Sequence, residues 1–398
     1  MSGLSPNSSM GSILQHQKFW ADSGAPICGI PVREAFLQLS NEEQLYAHFV
    51  SRAAFHGTRI ILQQTSKEAE SIFDLIMELY RRSHGDWSQL ASDAGVGEND
   101  MMQFLEYAAM FLSNVGNYRS NGDTKFIPRL DRSTFEKIAS TSATTRTLFA
   151  VAVDGMYSID PHRYGYSADK NCASGFYPEN LPISREEVQA VQEFLEANDI
   201  LPENTRLQKT RDPKSTDEVS YTLLIASVDR GWLPVLKSPA RLRLPGNPTI
   251  NIRTGDYSES LRKVTKELEL AQLHVANEEQ GLMIDALLAC FRTGNHVAFK
   301  EAQTHWIKDI SPAVELVLGF VETYQDPHGV RGAWEGIVAI TNQEQSKHFK
   351  SLTERSLEFI AQLPWNGENV GLGASTLSEF ESRRFIMPDF TSLDSMFP

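Results

Sequence analysis

Tyr221-Thr-Leu-Leu-Ile-Ala-Ser-Val228, then Ala240-Arg-Leu-Arg-Leu244 and Thr249-Ile-Asn-Ile252, break an otherwise helical sequence. The first is a short apolar run rich in β-branched residues, and the other two alternate with period two. Pro245-Gly-Asn-Pro248 between them is turn chemistry. These segments predict strands in a small antiparallel sheet or barrel. Upstream, Ser40 and Glu43 read as a capping box. Leu45, Phe49, Val50 and Ala53 follow at helical spacing. Thr65 with Glu68 repeats the signal ahead of Ile72, Phe73, Ile76, Leu79 and Tyr80. Arg81 and Arg82 lie where a helix end favours cations. A third amphipathic run carries Phe104, Tyr107, Ala108, Phe111 and Leu112 and stops near Gly116. The polar stretch 113–125 reads as a loop.

Downstream, residues 257–324 read as helical, with Leu268, Leu270, Leu273, Leu282, Ile284, Leu287 and Leu288 as core candidates. Trp334–Thr341 reads as a strand and Glu344–Leu363 as a helix stopping before Pro364. The fold class is therefore α+β: a helical body with a small antiparallel β-barrel or sheet block, plus a partial helical second lobe. The expected division is a disordered tail over 1–23, a barrel-containing lobe with its helices over 24–342, and the truncated start of a second helical lobe over 343–398.

Composition narrows the function. The 398 residues carry 37 Lys and Arg against 51 Asp and Glu, a formal net charge of −14. That balance argues against nucleic acid or an anionic membrane as partner, since both recruit basic patches. No apolar run approaches the roughly 18–20 residues needed to cross a bilayer, and no signal-peptide core opens the chain. Cys28, Cys172 and Cys290 are too scattered for a disulfide framework, so a cytoplasmic location is expected. The ten histidines include no HExxH pair, and phosphate-loop and nucleophile-elbow motifs are absent. Cys172, near His162 in sequence, reads as an inert thiol rather than a nucleophile, because nothing electropositive surrounds it.

One segment does carry chemistry. Val321-Glu-Thr-Tyr-Gln-Asp-Pro-His-Gly-Val-Arg-Gly-Ala-Trp-Glu-Gly336 gathers Glu322, Asp326 and Glu335 with Arg331 and Tyr324. Two readings stand side by side. Asp326 and Arg331 staple a loop by an ion pair, or the carboxylates form a pocket for a ligand ammonium with the Tyr324 hydroxyl beside it.

Glu322-Thr-Tyr-Gln-Asp-Pro and Gly329-Val-Arg-Gly-Ala-Trp-Glu-Gly336 closely resemble the E-(S/T)-Y-R-D-P…G-x-R-G-E-F-E-G block of the dipeptidyl peptidase III family of zinc exopeptidases. Ser113-Asn-Val-Gly-Asn-Tyr118 with Gly122-Asp-Thr-Lys-Phe126, and Pro388-Asp-Phe-Thr-Ser-Leu-Asp394, are similar to two further family blocks. Arg253–Tyr257 and the helix around Leu45–Ala54 also look like the family, so the likeness runs from about residue 28 to 394.

The resemblance implies a two-lobed peptidase that removes dipeptides from the free N-terminus of short peptides. It implies that Glu322 grips the substrate ammonium, that Tyr324 stabilises the oxyanion at the scissile carbonyl, and that Glu335 lines the same cleft. Asn114, Gly116 and Asn117 match a loop of structural character. The family's zinc motifs, HExxGH and EExx(K/R)AE, follow the Pro388–Asp394 block and are not found in this sequence. No metal ligand or cofactor is therefore expected in this chain, although the complete family enzyme uses zinc. Gln325 replaces the family's Arg, and Ala333-Trp334 replaces Glu-Phe. The sequence thus predicts a peptidase-like chain carrying the amine-binding lobe and inactive by itself. Its expected partners are short peptides with a free N-terminus and a polypeptide supplying the missing lobe. A non-catalytic peptide-binding or scaffold protein is the alternative.

Overall fold

The computed structural model describes residues 17–359 and 393–396, apart from 27, 31, 121, 179–180, 212–218, 232 and 356–357. The N-terminal helices are α1 (Arg33–Gln38), α2 (Asn41–His56), α3 (Thr58–Thr65), α4 (Ala69–Ser83), α5 (Trp87–Ala94), α6 (Glu98–Asn114), α7 (Arg132–Ala139), α8 (Ala143–Met156) and α9 (Arg185–Ala197). Strands β1 (Thr205–Arg211), β2 (Val219–Ala226) and β3 (Ile250–Asp256) follow. Then come α10 (Ser258–Ala271), α11 (Glu278–Thr293), α12 (Val297–Trp306), β4 (Val314–Glu322), β5 (Ala333–Thr341), α13 (Gln343–Glu354) and β6 (Leu393–Met396).

The Ser40 capping box forms, with the Ser40 side chain and that of Glu43 each bonding the other's backbone N–H. The second expected box does not. Thr65 ends α3, where its hydroxyl donates to the Ile61 carbonyl at 2.8 Å, and Glu68 caps α4 without a side-chain bond. Glu68 pairs with Lys125 instead. A capping motif needs a free backbone N–H three residues on, and a threonine still inside a helix is committed elsewhere.

The expected barrel is corrected by the strand pairing. Among the described residues the strands form two separate three-stranded sheets, β1-β2-β3 and β4-β5-β6, and neither closes. The first is not wholly antiparallel: β1 runs antiparallel to β2, but β3 lies parallel to it, with a register shift at Ile225/Ala226. Ala240–Leu244 contributes only the bridge Arg241↔Thr249. Pro239 and Pro245 flank it and offer no N–H, so a ladder cannot extend. The helical reading of 257–324 also fails at its end. Val314–Glu322 is strand β4, and its alternate residues Val314, Leu316, Leu318 and Phe320 are buried. Leu273 and Leu282, expected in the core, are exposed.

Three apolar cores result. One is mostly helical, built on α4, α6, α7 and α8 around Phe104, Phe135 and Phe149, with Ala21, Phe126 and Leu130 added from connecting chain. Each fully buried phenylalanine contributes about 1.5–3 kcal/mol. A second joins α2, α10 and α11 to one face of β4 and β5 through Leu318, Phe320 and Trp334. The third packs α9 on the first sheet and includes Tyr177, Leu207, Leu223 and Ala333. Adjacent residues Ala333 and Trp334 thus enter different cores, as strand alternation requires.

Of the sequence expected to be a tail, residues 17–23 are described: the Ala21 N–H donates to the Ile127 carbonyl, whose own N–H donates to Phe19. The end of the helix expected at 344–363, and most of the Pro388–Asp394 block, lie outside the described residues. No helix among the described residues is long and apolar enough to cross a membrane.

Candidate functional site

Glu322 ends β4 and Ala333 begins β5, so the chemistry-bearing segment is the connection between two antiparallel strands. A register shift between Phe320 and Glu322 places Glu322 opposite Ala333. The turn closes where the Asp326 N–H donates to Thr323 O at 3.1 Å and the Gly329 N–H donates to Asp326 O at 2.9 Å. Gly329 has a φ of 76°, a value glycine adopts without strain.

Beneath the turn lies a buried polar hub. The Asp326 carboxylate accepts from the Tyr177 hydroxyl at 2.5 Å and from the N–H groups of His328 at 3.2 Å, Val330 at 3.1 Å and Arg331 at 3.0 Å. The Arg331 guanidinium sits 3.7 Å away, both side chains fully buried. It donates to the Tyr177 hydroxyl at 3.3 Å and lies over that ring at 5.2 Å from the centroid. Its Nε and Nη2 have no hydrogen-bond partner among the described residues. Burial above all raises the Tyr177 hydroxyl well beyond the usual phenol range, so it stays a donor. The Asp326–Arg331 staple of the sequence reading is therefore present, but the turn's own amides and Tyr177 hold the carboxylate more closely than the arginine does.

Two further contacts fix the strand ends. The buried Gln64 side chain donates to Gly332 O at 3.1 Å and accepts from the Trp334 N–H at 2.8 Å. The Tyr166 hydroxyl meets His328 Nδ1 at 2.9 Å, and burial lowers the basicity of that imidazole. Tyr166, Tyr177 and Gln64 were not found from sequence, because each reaches the turn from another part of the chain.

Above this rigid base stand the three predicted residues. Glu322 and Tyr324 are exposed, Tyr324 by 59%. Glu335 is half-buried, and its carboxyl is pushed above the usual range, first by burial and then by the negative charge of Glu322. The strand register sets Glu322 opposite Ala333, two positions along β5 from Glu335 and on the same face. Neither makes an ion pair among the described residues. An unpaired carboxylate couple can take up a cation.

Elsewhere, Asn117 donates to Glu68 at 2.7 Å and Asn114 accepts from the Ser120 N–H at 2.8 Å, both internal ties. His162 Nδ1 lies 3.3 Å from Asp123, while burial and nearby carboxylates push the Cys172 thiol up, which keeps it protonated. Among the described residues no three His, Cys, Asp or Glu side chains converge to hold a metal ion.

Residues 148–397 match the sequence model of Peptidase family M49. The chain is 37% identical over 371 residues to dipeptidyl peptidase 3 of Dictyostelium discoideum, covering 93% of this chain and 50% of that protein. It is 35% identical over 381 residues to dipeptidyl peptidase 3 of Homo sapiens, covering 92% and 49%. A solved structure of DPP III from Caldithrix abyssi aligns with 82% of this chain and 44% of that one, at 17% identity and a TM-score of 0.45. The chain spans about half the length of the curated relatives it matches.

Proposed function

This chain belongs to peptidase family M49, and on that premise we propose that it supplies the amine-binding part of a dipeptidyl peptidase, gripping the free N-terminus of short peptides. One observation carries the proposal: Glu322 and Glu335 lie close on one face at the strand ends, Glu322 opposite Ala333, and neither has an ion-pair partner among the described residues. A peptide α-ammonium is the complementary group. It would relieve the repulsion between the two carboxylates while the buried Asp326 hub holds the turn in place. Tyr324, exposed on the same turn, is the residue assigned to the peptide carbonyl. The part assigned to these residues is binding of the substrate amine.

The pH dependence follows. Glu335 must lose its proton to attract the ammonium fully, so affinity rises with pH through its elevated titration range. It falls again above about 8, where a peptide α-amine loses its charge. Calorimetry with a free-amine tetrapeptide and its N-acetylated analogue tests the reading. The free amine should bind at least about tenfold more tightly, and Glu322→Gln should remove the difference. Equal affinity for the two peptides, or no binding of either, would refute it.

A further inference from the structure

A cavity of about 740 Å³ lies between the Gln63–Glu68 segment and residues of 172–178 with Leu181 and Pro182. Its size is that of a small-ligand pocket. We infer that it is an accessory subsite for a neutral apolar or aromatic side chain, and that Tyr177 couples its occupancy to the Glu322–Tyr324 turn. The inference extends the amine-binding reading, since the occupant is a side chain of the same peptide.

Many polar groups of the wall already have partners in the protein: Gln63 donates to Glu70, Ser167 accepts from the Ile183 N–H and Gln208 accepts from Arg253. The Glu68 carboxylate is neutralised by the Lys125 ammonium at 2.6 Å and accepts from Asn117 at 2.7 Å. The Ser66 hydroxyl donates to Asn117 at 3.0 Å. Tyr118 donates its hydroxyl to Pro161 O at 2.6 Å, and Tyr177 donates its own to Asp326 at 2.5 Å. The apolar surface of the wall comes from Pro161, Ala173, Pro178, Leu181 and Pro182. Lys67 at the rim is exposed to solvent, so its charge needs no partner in the cavity. A wall whose polar groups are largely engaged within the protein favours apolar contact over a charged guest.

Tyr177 also belongs to the hub. It is one of the residues lining the cavity, and its hydroxyl reaches the carboxylate that gathers the amides of His328, Val330 and Arg331. A guest filling the cavity restrains Tyr177, and through its hydroxyl the same turn that carries Tyr324.

The test uses N-acetyl-L-phenylalanine amide, which has no ammonium for Glu322, with N-acetylglycine amide as control. The full chain should bind the phenylalanine amide about tenfold or more above the control. Ala173→Phe and Leu181→Trp, which fill the cavity, should each lose that preference, with far-ultraviolet circular dichroism confirming which variant folds. Glu322→Gln should keep it. Hydrogen exchange at His328, Val330 and Arg331 should slow on binding in the native chain but not in Tyr177→Phe. Equal affinity for the two amides, or an unchanged preference in a folded filled variant, would overturn the subsite. Slowing that persists in Tyr177→Phe would overturn the coupling. A free-amine peptide weakened by Glu322→Gln, alongside a chain indifferent to the capped amides, would remove the subsite and leave the amine reading standing.

Discussion

Removing the Asp326 charge should cost far more than removing the charge of its partner Arg331. In Asp326→Asn, the new amide would turn its NH₂ toward Tyr177, whose hydroxyl can reverse and accept. The N–H groups of Val330 and Arg331, at 3.1 and 3.0 Å in the native chain, would keep an oxygen. The His328 N–H, at 3.2 Å, would lose its acceptor. A hydrogen bond to a charged group is worth about 1.5–3 kcal/mol. The fully buried guanidinium would also be left without a counter-charge, and breaking a buried pair in this way costs about 3–5 kcal/mol. These terms overlap, so the expected loss is about 3–6 kcal/mol. Arg331→Met is different. Asp326 retains four donors, the lost contact is a long 3.7 Å one, and two unpartnered N–H positions disappear with the guanidinium. About 1–2 kcal/mol is expected. The double variant should cost less than the sum by about 2 kcal/mol, because no charge is then stranded. Urea unfolding midpoints at constant slope measure all three. If Arg331→Met were as damaging as Asp326→Asn, or if the two losses simply added, the arginine would be the principal support of the turn and the reasoning would fail.

Glu335→Gln should stabilise the protein at neutral pH. A carboxyl raised in the folded state binds its proton more tightly there, so stability falls as pH climbs from the unfolded value near 4.5 through the folded one and stays lower above; urea midpoints from pH 4 to 8 should lose that descent in the variant. Lys125→Met should cost about 3–5 kcal/mol at pH 7. Burial by itself raises the Glu68 pKa, and the Lys125 ammonium 2.6 Å away overcomes it and holds the value below normal. Part of the loss should return at pH 5, when the stranded carboxyl takes up a proton, and a loss independent of pH would contradict the assignment. Gly175→Ala places a Cβ only 2.2 Å from the Gln64 carbonyl oxygen, an overpacking worth about 1–3 kcal/mol. It should also speed hydrogen exchange at the Trp334 amide, which Gln64 holds; unchanged exchange would show that the close contact carries no weight.

What could be read in advance was whatever is written locally. The Ser40 capping box, the β-rich run at Tyr221–Val228 and the turn residues of 325–332 each announce themselves within a few positions, and each is present. Val314–Glu322 did not, because a short, almost continuous apolar run fits helix and strand alike, and the preceding helices biased the choice. The parallel pairing of β3 with β2 has no local signature, since the order of strands in a sheet is settled by packing. The site divides in the same way. Glu322, Asp326, Arg331 and Glu335 fall within one stretch of chain and were legible. Tyr177 and Gln64, which immobilise that stretch, come from 149 and 270 residues away. This division has a physical basis. Charged side chains stand out in a sequence whether or not the fold pairs them, as Asp326 with Arg331 and Glu322, unpaired among the described residues, both show. The groups that restrain that stretch of backbone are neutral and reach it only through the fold, leaving tyrosine and glutamine without a local pattern to betray them. A search for such supports should therefore begin at the amides of the charged turn and follow their hydrogen bonds inward, as Asp326 leads to Tyr177 and Tyr177 to the cavity beside it.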